Sequence, residues 1–143
     1  MILDRAVFVI PTKKKMLYID INPKKGRGVF TDSLIPSGAV IERCPVIEIP
    51  AEDRPKIDAS VLYDYCYDWG PGLNVGAVAL GYGSLYNHSH RPNARYFKKP
   101  AERVIEYVAL RDIQPGEEIE TNYNGDPNDL TPIETDGRIQ WDD

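Results

Sequence analysis

The densest run of reactive side chains spans residues 84 to 93, Ser-Leu-Tyr-Asn-His-Ser-His-Arg-Pro-Asn. It holds both histidines of the protein, His88 and His90, and is entered from the apolar run at 76 to 80. A spacing of two puts both imidazoles on one side of a strand, as metal ligation would need. No third soft ligand lies nearby in sequence and Pro92 interrupts regular structure, so no metal site is expected. Buried polar groups are costly unless hydrogen-bonded. The stretch is therefore expected to be a buried turn whose side chains are satisfied by the main chain or by a ligand.

The rest of the chain must position that turn. Its 143 residues fit one domain, and a hydrophobic content of 42% allows one modest core. The net charge of −5 argues against a constitutive nucleic-acid binder and suits attraction of basic peptides. No apolar run approaches the roughly 18 residues of a membrane span. Asp4 and Arg5 interrupt the apolar N-terminus, which does not read as a signal peptide. Cys44 and Cys66 form no CxxC pair, so reduced thiols and a cytoplasmic location are expected.

Twelve prolines and eleven glycines cut the sequence into short pieces, which read as β-strands between turns. Strands are expected at 17 to 21, at 29 to 30 after a basic turn, at 94 to 97, at 104 to 110 and at 119 to 123. Residues 39 to 49 read as a strand pair broken at Cys44-Pro45, and 51 to 58 as a polar loop. The best helix candidate is 59 to 69, with Val61, Leu62, Tyr65, Cys66 and Trp69 at helical spacing. The octet at 35 to 42 echoes that at 113 to 120 through Ile, Gly, Ile and Glu, with Gly38 and Gly116 placed for turns of positive φ. Either two unrelated turns using the same chemistry or two similar β-units packed with approximate symmetry would explain the echo. No βαβ alternation suggests a Rossmann-type site.

Four stretches line up: Lys25-Gly-Arg-Gly28, Tyr65-Cys-Tyr-Asp-Trp69, Tyr86-Asn-His-Ser-His-Arg-Pro-Asn93 and Gly116-Glu-Glu-Ile-Glu-Thr-Asn-Tyr123. Together they resemble the SET-domain protein lysine methyltransferases, over residues 16 to 123. The resemblance implies a mostly β fold, the β-clip arrangement of small twisted sheets with a short helix and a pseudoknot-like crossing. It divides the chain into an N-terminal strand or arm at 1 to 15, the SET domain at 16 to 123 and an acidic tail at 124 to 143. It implies S-adenosylmethionine on one face of the crossing and, on the other, a narrow channel for a substrate lysine. The acceptor must first become neutral. From a reference pKa of about 10.4 that costs roughly 4–5 kcal/mol at pH 7, and an apolar channel beside a sulfonium lowers the cost.

By the same resemblance, Tyr123 matches the catalytic tyrosine. Gly26, Arg27, Gly28, Tyr65, Asn87 and His88, with Tyr123, match positions that contact the cofactor. Tyr67, Tyr82 and Trp69 are candidate channel walls on aromatic character alone. Thr121 stands where many relatives carry an aromatic that influences how many methyl groups fit. Its small side chain implies room for more than one, unless a second tyrosine refills the space. His90 replaces a cysteine of many relatives, and Ser84-Leu85 replaces Arg-Phe.

The cysteine-rich zinc-binding tail of many relatives is absent. The acidic tail, through Ile133, Ile139 and Trp141, is the candidate to close the channel in its place. The implied partner is a lysine-containing protein or peptide of basic character, with neither nucleic acid nor membrane as partner, and a homodimer would complete the surface of so minimal a domain. The altered positions Ser84, His90 and Thr121 leave two other readings open: an inactive peptide-binding module on the same fold, and a methyltransferase acting on a non-protein amine.

Overall fold

The computed structural model describes residues 16 to 72 and 74 to 133. In chain order the strands are β1 (Leu17–Asn22), β2 (Gly26–Thr31), β3 (Val40–Ile49), β4 (Cys66–Trp69), β5 (Val75–Ala79), β6 (Asn87–His88), β7 (Ala94–Lys99), β8 (Val104–Ala109) and β9 (Glu118–Thr121). Short connections force antiparallel hairpins such as β1–β2 and β7–β8. The strands form one sheet in the order β1-β2-β9-β6 and another in the order β4-β5-β3-β8-β7. The fold is mostly β, as the resemblance implies.

Period-two patterning builds the core between them. Along β8, Ile105, Tyr107 and Ala109 are buried while Val104, Glu106 and Val108 are only half-buried. Val29 and Ile119, paired across β2 and β9, are likewise buried. Each such fully buried isoleucine contributes about 1.5–3 kcal/mol relative to exposure.

The sequence echo is a real symmetry. Ile35 and Ile113 exchange both main-chain hydrogen bonds at 2.9 Å. The Gly38 amide donates to Ala109 O at 2.8 Å, and the Gly116 amide to Thr31 O at 2.7 Å. Val40 pairs with Val108 as Phe30 pairs with Glu118. These equivalences share one sequence offset, so the β3–β8 and β2–β9 junctions are related by a local two-fold. Gly38 (φ 81°) and Gly116 (φ 86°) make equivalent left-handed turns.

Three sequence expectations need correction. Residues 59 to 69 are not one helix: the α-helix α1 is Arg54–Asp58, within the stretch read as a loop. A 3-10 turn then covers Val61–Tyr65, and Cys66–Trp69 is β4. Ser60 marks the break, its hydroxyl donating to Ile57 O and accepting from the Leu62 amide. Val61, Leu62 and Tyr63 remain exposed, so their spacing marks no buried helical face. Strand β3 is continuous through Pro45, pairing with β8 up to Pro45 and with β5 beyond it. Proline lacks a donor, but its carbonyl still accepts Leu80 N at 2.9 Å. The last strand stops at Thr121 rather than Tyr123.

Candidate active site

Strand β6 lies parallel to β9, pairing Asn87 with Glu120 and His88 with Thr121. Around it Tyr86, Asn87, His88, Ser89 and Asn93 are buried while Arg91 is exposed, and much of the buried part is satisfied by main chain. Ser89 N donates to Thr121 O at 3.0 Å, and Ser89 Oγ accepts the Arg91 amide. Asn93 uses both ends of its amide on β9, donating to Glu118 O at 2.7 Å and accepting Glu120 N at 2.9 Å. Asn87 Nδ2 donates to Arg27 O at 3.0 Å and to Glu118 Oε1 at 2.7 Å, tying the basic turn to the crossing. Gly28 gives that bond its room: a Cβ there would stand 2.9 Å from Asn87 Nδ2. Behind it, the buried Lys25 ammonium bridges His88 O at 2.8 Å and Glu120 Oε2 at 2.6 Å.

Tyr123 follows β9 and is fixed at three points. Its amide donates to His88 Nδ1 at 3.0 Å, which leaves the His88 proton on Nε2. Its carbonyl accepts the Tyr96 hydroxyl at 2.9 Å, and its own hydroxyl donates to Tyr86 O at 2.6 Å. Burial, with neighbouring phenols adding to it, holds the Tyr123 hydroxyl well above the usual tyrosine range. Burial likewise pushes Tyr96 up to about 12 and raises Tyr67 further.

Two cavities meet here. The larger, about 230 Å³, is lined by Lys25, Gly26, Arg27, Leu85 and Asn87. The smaller, about 140 Å³, is lined by Cys66, Tyr67, Asp68, Tyr96 and Lys98. Asp64, Tyr65, Ser84 and Tyr123 line both. The two cavities thus share a wall that includes Tyr123.

The residues singled out from sequence divide accordingly. Gly26, Arg27, Tyr65, Asn87 and Tyr123 border the larger cavity, and Tyr67 borders the smaller with Tyr65 and Tyr123. Gly28 and His88 lie behind the walls as supports. Tyr82 is not a channel wall: Glu42 Oε2 holds its amide at 3.1 Å and its hydroxyl reaches Leu17 O at 3.4 Å. Trp69 is buried in the core, its indole N–H on Glu48. Thr121 lines neither cavity; β9 turns it inward with Ile119, and Oγ1 has no hydrogen-bond partner among the described residues. Trp141 and Ile139 lie outside the described residues, as does the arm at 1 to 15. Residues 124 to 133 fold back through Asn124 Nδ2 to Thr131 O at 2.8 Å, beside His90, and line neither cavity.

Asp64, Tyr96, Lys98, Cys66 and Asp68 were not anticipated. Only strand alternation signals Tyr96 and Lys98, which share one face of β7. In sequence Ser84 and Leu85 stand out only as departures from the family pattern. The Ser84 hydroxyl bridges Ala79 N and Ala79 O, both at 3.0 Å, closing the turn that brings it to both cavities. Among the described residues no group of three or more His, Cys, Asp or Glu is placed to hold a metal ion.

With this geometry in place, comparison with known proteins is decisive. Residues 26–124 match the SET domain family. This chain belongs to the SET-domain family. It is 36% identical over 115 residues to a Schizosaccharomyces pombe histone-lysine N-methyltransferase specific for H3 lysine-37, covering 80% of this chain and 77% of that protein. It is 34% identical over 102 residues to the human protein-lysine N-trimethyltransferase SMYD5, covering 68% of this chain but only 24% of that larger protein. Among solved structures, a Plasmodium falciparum protein described as a candidate histone methyltransferase superposes with a TM-score of 0.62 at 35% identity, over 78% of this chain and 95% of that one. The SET fold is therefore supported by sequence and by shape.

Proposed function

We propose that the larger cavity binds S-adenosylmethionine and that the smaller admits the side chain of a protein lysine, the two meeting at Tyr123. Protein-lysine methylation as the activity follows from the family and its relatives. The observation that carries the assignment of chambers is their shared wall of Tyr65, Ser84, Asp64 and Tyr123.

The lining suits the cofactor. Gly26 and Arg27 bring main chain to the cavity edge, Arg27 offers a cation for a carboxylate, and Tyr65 offers an aromatic face. Asn87 holds the Arg27 carbonyl and so fixes the turn's approach. When bound, S-adenosylmethionine supplies a sulfonium-linked methyl group open to in-line attack by an amine. Tyr67, Tyr96 and Tyr123 confine the acceptor, which supplies rate through orientation. Tyr123 directs its proton to Tyr86 O and so meets the incoming amine as a hydrogen-bond acceptor. Its raised pKa keeps it a phenol at neutral pH, so it orients the amine and does not serve as a general base. The acceptor's proton leaves to solvent.

Asp64 and Asp68 on the smaller cavity favour a lysine within a basic segment, the class to which a histone tail belongs. The test is calorimetry with S-adenosylmethionine, followed by transfer of labelled methyl to basic protein mixtures. Binding and transfer to lysine are expected. Binding without transfer to any protein would point to a non-protein amine or an inactive module, and no binding would remove the cofactor assignment.

A further inference from the structure

One acceptor-type amine already lines the smaller cavity. Lys98 sits on β7 two residues beyond Tyr96, on the same strand face. Tyr96 donates to the main-chain carbonyl of Tyr123 at 2.9 Å, and Tyr96, Lys98 and Tyr123 all line the smaller cavity. Lys98 and Tyr123 border one volume of about 140 Å³. Among the described residues no hydrogen bond or ion pair holds the Lys98 ammonium. Lys25 and Lys99, by contrast, are held by Glu120 at 2.6 Å and Glu106 at 3.2 Å. Asp68 attracts Lys98 without pinning it, since its carboxylate is held by Arg54 Nη2 at 2.9 Å.

We propose that Lys98 is a self-methylation site, its ε-amine taking a methyl group in cis when no substrate lysine fills the cavity. The inference rests on the assignment of the smaller cavity as the acceptor chamber. Partial desolvation lowers the Lys98 pKa, with Asp68 opposing the shift. That favours the neutral amine the reaction requires. The Lys98 ammonium first loses a proton to solvent. Its nitrogen lone pair then forms the N–C bond as the S–C bond of the sulfonium breaks, leaving the bonding pair on a neutral thioether. The resulting methylammonium keeps its positive charge.

The experiment incubates the full chain with S-adenosylmethionine alone, cleaves at acidic residues and locates methyl groups by tandem mass spectrometry. Methyl on Lys98 is expected, appearing about tenfold or more slowly in Tyr123→Phe. Its initial rate per molecule should stay constant over roughly a hundredfold dilution, as an intramolecular step requires. A lysine peptide that is itself methylated should slow it by competing for the cavity. Without cofactor, trace acylation at neutral pH should label Lys98 faster than Lys24 and Lys56. An unmodified Lys98 in a preparation that methylates added peptide overturns the inference and leaves the activity intact. A dilution-dependent rate, indifference to the peptide, or acylation no faster than at the reference lysines also contradicts it. If neither peptide nor Lys98 is methylated, the chamber assignment fails as well.

Discussion

His88 Nδ1 accepts the Tyr123 amide at 3.0 Å, so a buried imidazole on β6 sets where the phenol stands after β9. Removing the ring leaves that amide without its acceptor, at about 1–3 kcal/mol. His88→Ala should lower the denaturation midpoint and reduce kcat. His88→Asn, whose side-chain oxygen can occupy the Nδ1 position, should recover part of both. Chemical denaturation alongside a methyl-transfer assay measures the pair.

Asn87 joins the basic turn to β9 through Arg27 O and Glu118 Oε1. Asn87→Ala strands a carbonyl and a carboxylate, so stability should fall by about 1–3 kcal/mol. Cofactor affinity should fall about tenfold or more, since the turn loses its anchor. Gly28→Ala should weaken binding in the same direction by forcing a methyl group toward Asn87 Nδ2. Isothermal titration of both variants checks this.

The local two-fold predicts equal costs at equivalent positions. Gly38 and Gly116 adopt φ of 81° and 86°, and an added Cβ meets nothing within 4 Å at either. Backbone strain alone then sets the penalty, about 1 kcal/mol for each alanine. Unfolding free energies of Gly38→Ala and Gly116→Ala should agree closely.

Stability should fall in alkali. Tyr67, Tyr86, Tyr96, Tyr107 and Tyr123 all have raised pKa values, chiefly through burial, with Tyr96 at about 12. A raised folded-state pKa contributes stability that is complete below the unfolded value, near 10. It is lost as pH rises from there through the folded values, because the unfolded chain releases the phenolic protons first. Denaturant titrations should show a steady decline beginning near pH 10.

The polar crossing was legible in the sequence because its residue types dictate their partners. Asn87 and Asn93 carry amides that two adjacent chain segments must satisfy, and Gly28 leaves room for Asn87. The 35 to 42 echo was legible for a similar reason, since a left-handed turn selects glycine. Other features depend on register. Val61, Leu62 and Trp69 fit a helical period, yet Ser60 ends one turn and Cys66 pairs with Val78 in a sheet. Tyr82 and Tyr67 are indistinguishable as aromatics, but the turn at 81 to 85 carries one toward Leu17 while β4 carries the other to the cavity. Tyr96 and Lys98 become site residues only once it is known which face of β7 borders the smaller cavity.

The most direct test of the shared wall compares wild type with Tyr123→Phe in two assays on the same samples: S-adenosylmethionine affinity, and methyl transfer to lysine in a basic protein. Loss of the hydroxyl should lower transfer by about tenfold or more, while cofactor affinity changes by no more than about threefold. Undiminished transfer by Tyr123→Phe would contradict the placement of this phenol between donor and acceptor.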